Sequence, residues 1–380
     1  MSKIFKIRRG TKSEIDSTII PLSELIHDYD NNDIYLGTNS GNKKITVGSI
    51  YDVKNPPSTL NAANGDGITD DAPAIQALVD YVKLHGGGTI LFPSGNYLIN
   101  SSIIIDQSSE TIYKDNTKIN IIGEGSSSTK ISVGGSFYAF TFRGDNNGAA
   151  FLLDTIVQGF RIVPLNPKVG SGLKFEETAF NFINDVVIID LLYGINCQDF
   201  FSSRFINVKV RFCSYGAAFL NKVNLANPNA IDLFGCHFGS CDNYGLLIQN
   251  GTAVNFYGGS IEANGQTGSD SVRYGVKVEG GGASGYSGVK FFGTYFENNA
   301  GKADLWIVAD GTNPLVNVVE GCSFLRSIAS PAPYNIQVDQ GVSDADLHIN
   351  VSGCGFKGVS PYTPSTATPY IKLFVYCKRF

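Results

Sequence analysis

The sequence predicts an all-β protein built as a right-handed parallel β-helix, and three observations carry that expectation. A Gly-x-x-apolar signature recurs eight times between residues 159 and 356, at intervals of 22 to 35 residues. Each copy is followed by a short run of alternating apolar and polar residues, and several are preceded by one. Charged residues are 17% of the 380, against a usual share of roughly 25%, while Gly contributes 43 residues, Phe 25 and Tyr 18. Three short period-two strands per repeat, with no helix between them, is the pattern of coils stacked into a solenoid.

The elements follow in order. Residues 1–49 read as a small N-terminal module, with turn signals at Asn31-Asn32 and Ser40-Gly41-Asn42. Residues 50–98 read as a linker, one helix and the β-helix entry. Asp70 and Asp71 are good N-cap residues and Pro73 suits a first turn. Ile75, Leu78, Val79 and Val82 recur with helical spacing, and Gly86-Gly87-Gly88 stops the pattern. An open β-helix end exposes apolar strands and unpaired backbone, so this helix is expected to plug it. Residues 99–380 are the β-helix itself.

Stacked coils repeat at about 4.8 Å, so equivalent residues form columns. One inward column reads Ile162, Ile188, Val210, Phe238, Ile261, Phe296, Phe324 and Phe356. The column two residues earlier reads Phe160, Val186, Val208, Cys236, Gly259, Thr294, Cys322 and Cys354. The seven Cys show no CxxC and no metal-ligand spacing, and are expected to be reduced, buried fillers. Inward pairs of the second strands run from Leu173/Phe175 to Ile336/Val338 and end at Ile371/Leu373. Third strands carry Val254/Phe256, Val289/Phe291, Val316/Val318 and Leu347/Ile349.

A net charge of −5 without a basic run argues against nucleic acid as partner. No apolar stretch approaches the ~20 residues of a membrane helix, so no membrane insertion is expected. Met1–Gly10 lacks the apolar core of a secretion signal. No cofactor and no metal are expected. Asp66 lies in a Gly-Asp-Gly turn, and Asp70 and Asp71 precede a helix; local hydrogen bonding accounts for all three.

Residues 61–98 read NAANGDGITDDAPAIQALVDYVKLHGGGTILFPSGNYL. This resembles the opening of pectate-lyase-like right-handed β-helix proteins, in which Gly-Asp-Gly-x-x-Asp-Asp precedes a capping helix and a Gly-Gly-Thr-apolar-Pro-x-Gly-x-Tyr run. The positions that match are Gly65, Asp66, Gly67, Asp70, Asp71, Gly87, Gly88, Thr89, Pro93, Gly95 and Tyr97. Upstream the chain departs from that pattern, with Val53-Lys-Asn-Pro-Pro57 where the family has a Val-x-Asp-aromatic-Gly-Ala strand. Phe5-Lys-Ile-Arg-Arg-Gly-Thr11, Pro21-Leu-Ser-Glu-Leu25, Tyr29-Asp30 and Ile34-Tyr-Leu-Gly37 resemble the virion-attachment module of phage tail fibres, with Ser23 where that module has Gly. Together the two segments resemble a phage tailspike or tail fibre protein. The resemblance implies a homotrimer in the phage virion tail, attached to the baseplate or other tail proteins through residues 1–49. Its implied partner is a bacterial capsular polysaccharide or lipopolysaccharide.

The outward columns beside the signature carry the candidate chemistry. One reads Val163, Ile189, Arg211, Gly239, Glu262, Glu297, Leu325, Lys357, and the other Arg161, Val187, Lys209, His237, Ser260, Tyr295, Ser323, Gly355. Polar groups gather in the middle coils, and the apolar residues before them suit a contact between subunits. Glu262 and Glu297 fall one coil apart, with Cβ atoms roughly 5 Å apart. Carboxylates that close raise one pKa, and a protonated and an ionised carboxyl together are what glycoside cleavage requires. Each Glu precedes an Asn (Asn264, Asn299) that suits a turn ladder, so a purely structural column is the competing reading. Glu262 and Glu297 are the expected catalytic pair; His237, Arg211, Lys209, Tyr295 and Trp306 are the expected substrate-binding residues. Loops 263–273, 326–334 and 358–369 are expected to wall a groove, with Tyr286 and Trp306 stacking on sugars. Asp232, Asp242 and Asp304 on other faces compete for the catalytic role if subunits share the site. The expected function is a tailspike that binds and depolymerises a surface polysaccharide as an endo-glycosidase. One alternative is a polysaccharide lyase, in which Lys209 or Arg211 neutralises a uronate while His237 or Tyr295 takes its proton. The other is a receptor-binding or structural spike without turnover.

Overall fold

The computed structural model describes residues 50–106, 118–144, 151–221, 227–267, 272–309 apart from 281–286, 315–326, 332–340 and 347–357, with further strands at 8–10, 25–28, 33–38, 41–45, 362–364 and 372–376 and the isolated residues 11, 13 and 14. Strands Arg8–Gly10, Leu25–Asp28, Asp33–Thr38 and Gly41–Ile45 form a four-stranded sheet, parallel in its first pair and antiparallel in the rest. The other described strands pair in parallel from coil to coil as one winding sheet.

The helix α1 (Ala72–Leu84) buries Ala72, Ile75, Leu78, Val79 and Val82 and packs on strands Gly88–Phe92, Ile103–Asp106 and Ile119–Gly123. Its apolar stripe thus covers the first coils, as the helical spacing predicts. Asp71 sits at the N-cap, but its carboxylate accepts from the amides of Asn64 and Gly65 instead of from the helix. Asp70 takes over the capping, with Oδ1 accepting from Ala72 N at 3.1 Å and Asn100 N at 3.0 Å. Asp66 closes its own turn onto Ile68, Thr69 and the Thr69 hydroxyl.

The predicted inward column is in register throughout, from Ile162 against Ile188 to Phe324 against Phe356. Phe296 and Phe324 stack with centroids 4.6 Å apart, and Phe324 and Phe356 at 4.9 Å. The signature's first residue explains its composition. Gly159, Asp185, Asn207, Gly235, Gly258, Gly293, Gly321 and Gly353 all have φ between 47° and 76°, the left-handed corner that Gly, Asn and Asp accept most readily. Six Cys (197, 213, 236, 241, 322 and 354) are buried free thiols, as expected; Cys377 lies outside the described residues.

Two strand assignments need correction. In Leu315–Glu320 it is Asn317 and Val319 that continue the columns of Val289 and Phe291, not Val316 and Val318. Asn317 is 2% exposed. A polar residue on the core side hides the alternation, and a one-residue slip inverts every side chain. At the end of the chain, Leu373 pairs with Ile349 in the third column, not with Val338, and Ile371 lies outside the described residues. The second column is filled by Tyr362–Pro364, whose brevity and proline conceal the strand.

Candidate functional site

The sharp corner after five of the signature strands sets the site. Asp190, Phe212, Ser240, Ala263 and Asn298 all adopt left-handed φ there, from 53° to 64°. The amide of each bonds the carbonyl of the outward residue one coil on: Ala263 N to Glu297 O at 2.7 Å, Asn298 N to Leu325 O at 3.0 Å. Below this corner runs the expected ladder. Asn264 Nδ2 donates to Asn299 Oδ1 at 2.9 Å and to Phe238 O at 3.0 Å, and Asn299 Nδ2 donates to Ile261 O at 2.9 Å. Both side chains are fully buried, so the turns carrying the two glutamates are pinned from inside.

The ladder continues into a feature that sequence reasoning missed. Asn299 Nδ2 also donates to Asp304 Oδ1 at 2.8 Å, and Asp304 Oδ2 meets Arg326 at 2.5 Å and Asn335 Nδ2 at 2.9 Å. Arg326 Nη1 donates to Asn299 O at 3.1 Å and Ala332 O at 2.7 Å. Asp304 has no exposed surface; burial raises its pKa, and Arg326 with the two amide donors opposes that rise. Asp304 is therefore part of the frame and not of an open face. The only signal for it in the sequence is a charged residue at the head of a core strand.

On the outer side, Lys209, His237, Ser260 and Tyr295 stand in one register column, and Arg211, Gly239, Glu262 and Glu297 in the next. Glu262 and Glu297 are direct neighbours in parallel strands. The Tyr295 hydroxyl donates to Glu297, and Asn298 Nδ2 donates to Glu297 Oε1 at 3.2 Å. The Tyr295 phenol is raised, first by desolvation, then by that hydrogen bond and the charges of Glu297 and Glu262.

His237 fills the gap that Gly239 leaves. A Cβ on Gly239 would lie 2.6 Å from His237 Nε2, so the ring occupies the space a side chain there would take. Its Nδ1 lies 2.5 Å from Ser260 Oγ and 4.0 Å from Glu262 Oε1. The imidazole thus sits between the Lys209/Arg211 pair and the carboxylates. Burial lowers its pKa from 6.5, Glu262 opposes this, and Arg211 and Lys209 reinforce it. The folded protein therefore binds this proton less readily than the unfolded chain. The associated stability is complete above about pH 6.5 and is lost as pH falls through the depressed value. The thermal midpoint of a His237→Asn variant is expected to decline less than wild type on acidification from pH 6.5, by scanning calorimetry. Parallel curves would show that the imidazole does not supply that slope.

Trp306 lies apart from this group. It belongs to the second-strand face, where its indole N–H donates to Asp339 at 2.8 Å and the ammonium groups of Lys277 and Lys302 lie 4.3 and 5.4 Å from its rings. Asp242 is tied to Lys168 at 3.0 Å and Asp232 accepts from Asn255 at 3.0 Å. Tyr286 and residues 268–271, 327–331, 358–361 and 365–369 of the expected groove walls lie outside the described residues.

Residues 61–187 match the family model described as Rhamnogalacturonase A/epimerase, pectate lyase-like. The match spans a third of the chain, and the coil register and capping helix agree with it in defining a pectate-lyase-like fold. Among curated proteins, Alginate lyase 7 of Azotobacter vinelandii is 38% identical over 71 residues, 19% of this chain and 8% of that protein. Mannuronan C5-epimerase AlgE1 of the same organism is 34% identical over 71 residues, 19% of this chain and 5% of that protein. The chain matches only this small fraction of their lengths. Among solved structures, the enzymatically active domain of bacteriophage CBA120 tailspike protein 2 aligns with TM-score 0.57 at 11% identity, covering 97% of this chain and 56% of that one. The Acinetobacter phage vb_AbaP_AS12 gp42 tailspike aligns with TM-score 0.56 at 12% identity, covering 99% and 76%. The alginate lyase from Paenibacillus sp. str. FPU-7 aligns with TM-score 0.56 at 13% identity, covering 79% and 96%. At these identities the likeness is one of fold: this chain shares its β-helix with phage tailspikes.

Proposed function

We propose that this protein is a phage tailspike that binds a bacterial surface polysaccharide and cleaves it as an endo-glycosidase. The observation that carries the reading is the in-register pair Glu262 and Glu297 on an outward face, framed by Tyr295, His237 and Ser260 and held by buried asparagines. One carboxyl, protonated, gives its proton to the glycosidic oxygen as the bond to the anomeric carbon breaks. The other, ionised, attacks that carbon or takes a proton from the attacking water. Lys209, Arg211, His237 and Tyr295 bind the substrate beside the pair. Residues 1–49 attach the spike to the phage baseplate or to other tail proteins, in a homotrimer on the virion tail. The support is the tailspike fold and the separate N-terminal sheet.

A lyase is the second reading, favoured by the match to Alginate lyase 7 and by the exposed cations Lys209 and Arg211 on the same face. In that reaction the cations neutralise a uronate and His237 or Tyr295 removes its C5 proton as the glycosidic oxygen departs. Incubation with capsules and lipopolysaccharides of candidate hosts, with product sizing and end-group analysis, tests both. New reducing ends without unsaturation support hydrolysis, and an ultraviolet-absorbing unsaturated end shows elimination. Tight binding with unchanged polymer length shows an adhesin without turnover.

A further inference from the structure

Beside the carboxylate face runs a second feature that the proposed chemistry does not use. Phe234, Tyr257 and Phe292 end successive third strands, each immediately before the corner glycine of its coil. Their rings stack at 4.8 and 5.4 Å with interplanar angles of 9° and 12°. Phe234 and Tyr257 remain 37% and 38% exposed, a solvated aromatic ladder in a protein whose other large rings are mostly buried.

The corner glycines Gly235, Gly258 and Gly293 form a bare strip. A Cβ built on any of them meets nothing within 4 Å. Backbone conformation alone does not require glycine here, because Asp185 and Asn207 occupy the same corner in earlier coils at φ of 47° and 51°. Across the strip from the rings stand His237, Ser260 and Tyr295. Each coil therefore offers an apolar group, an open backbone floor and a hydrogen-bonding side chain, repeated at about 4.8 Å.

We propose that this strip is a binding track for a linear glycan lying along the β-helix axis, one sugar unit per coil. The inference rests on the polysaccharide reading above and extends it to residues outside the carboxylate pair. A pyranose presents an apolar face and an edge of hydroxyls, and its rise in an extended chain is close to the coil repeat. An extended peptide, at roughly 3.3 Å per residue, does not keep that register. Glycine recurs where a ligand has to come close to the backbone.

The test uses full-length protein carrying Glu262→Gln and Glu297→Gln, so that bound polymer is not consumed. The probes are immobilised capsular polysaccharides and lipopolysaccharide O-chains from a panel of bacteria, together with alginate and polygalacturonate. Gly258→Asn keeps a residue that the same corner accepts as Asn207 but fills the strip; Tyr257→Ala opens the ladder. Each is expected to weaken binding about tenfold, with the sedimentation coefficient unchanged and the protein still folded at the assay temperature. Undiminished binding in both variants overturns the track and leaves the carboxylate chemistry standing. A change of oligomeric state with unaltered binding per protomer overturns it too, and makes the ladder a contact between copies. If no polysaccharide is retained by the parent protein, the track falls together with the polysaccharide reading.

Discussion

Glu262→Gln and Glu297→Gln are each expected to slow depolymerisation by about 10²–10⁴-fold, the range that positioned proton transfer contributes. Each substitution keeps the shape of the side chain and removes its ability to cycle a proton. The backbone around each Glu is fixed by partners that the substitutions leave alone: Ala263 N on Glu297 O, and the Asn264–Asn299 ladder beneath. Polysaccharide retention should therefore persist while product release stops, and thermal midpoints should stay near wild type. The two variants should also be non-additive, because one general acid is of little use without its partner. Released reducing ends over time give the rates. If both single variants keep full activity, the glutamates revert to a solvated column. If only Tyr295→Phe and His237→Gln abolish turnover, the elimination chemistry takes their place.

Tyr295→Phe separates these mechanisms on its own. Under hydrolysis it removes a hydrogen bond to Glu297 and should lower the rate by about tenfold, roughly the worth of one hydrogen bond to a charged group. Under elimination with Tyr295 as base it removes the acceptor of the proton, and the loss should reach the full general-base range of about 10²–10⁴. Rates measured alongside the glutamate variants distinguish a loss confined to one carboxylate's partner from a loss of the base.

Most of the coil architecture is legible in the sequence because one physical rule repeats. A left-handed corner selects Gly, Asn or Asp, and the third residue on must be apolar to reach the core. The eight signatures from Gly159 to Gly353 therefore place the outward residues, and Glu262 falls beside Glu297 without further information. Legibility fails where a core position is polar. Asn317 inverted the apparent register of its strand, and the buried Asp304 read as an exposed competitor for catalysis. Trp306 reads as a sugar platform by composition alone. Its strand turns it onto another face, and that follows from the corner geometry between strands, which apolar spacing does not encode. The wedge of His237 over Gly239 is likewise invisible from spacing, since it depends on a ring reaching sideways into the neighbouring column.

Asp304→Asn is expected to destabilise the fold by about 3–5 kcal/mol, the cost of leaving a buried charge without its partner. Arg326 is the group left behind. Its side chain is 2% exposed, and its remaining acceptors are backbone carbonyls of Asn299, Ala332 and Tyr334, which carry no formal charge to balance the guanidinium. The damage should extend outward, because Asp304 Oδ1 accepts from Asn299, and Asn299 Oδ1 accepts from the Asn264 amide in the turn that follows Glu262. Chemical unfolding would show a lower midpoint for Asp304→Asn, with reduced turnover even where the protein remains folded. Pairing it with Arg326→Met removes the stranded charge and should recover a large part of the loss, since an apolar replacement of a buried ion pair is often neutral. A single Asp304→Asn variant within about 1 kcal/mol of wild type would mean that solvent reaches Arg326, and that the asparagine ladder alone holds the glutamate turns.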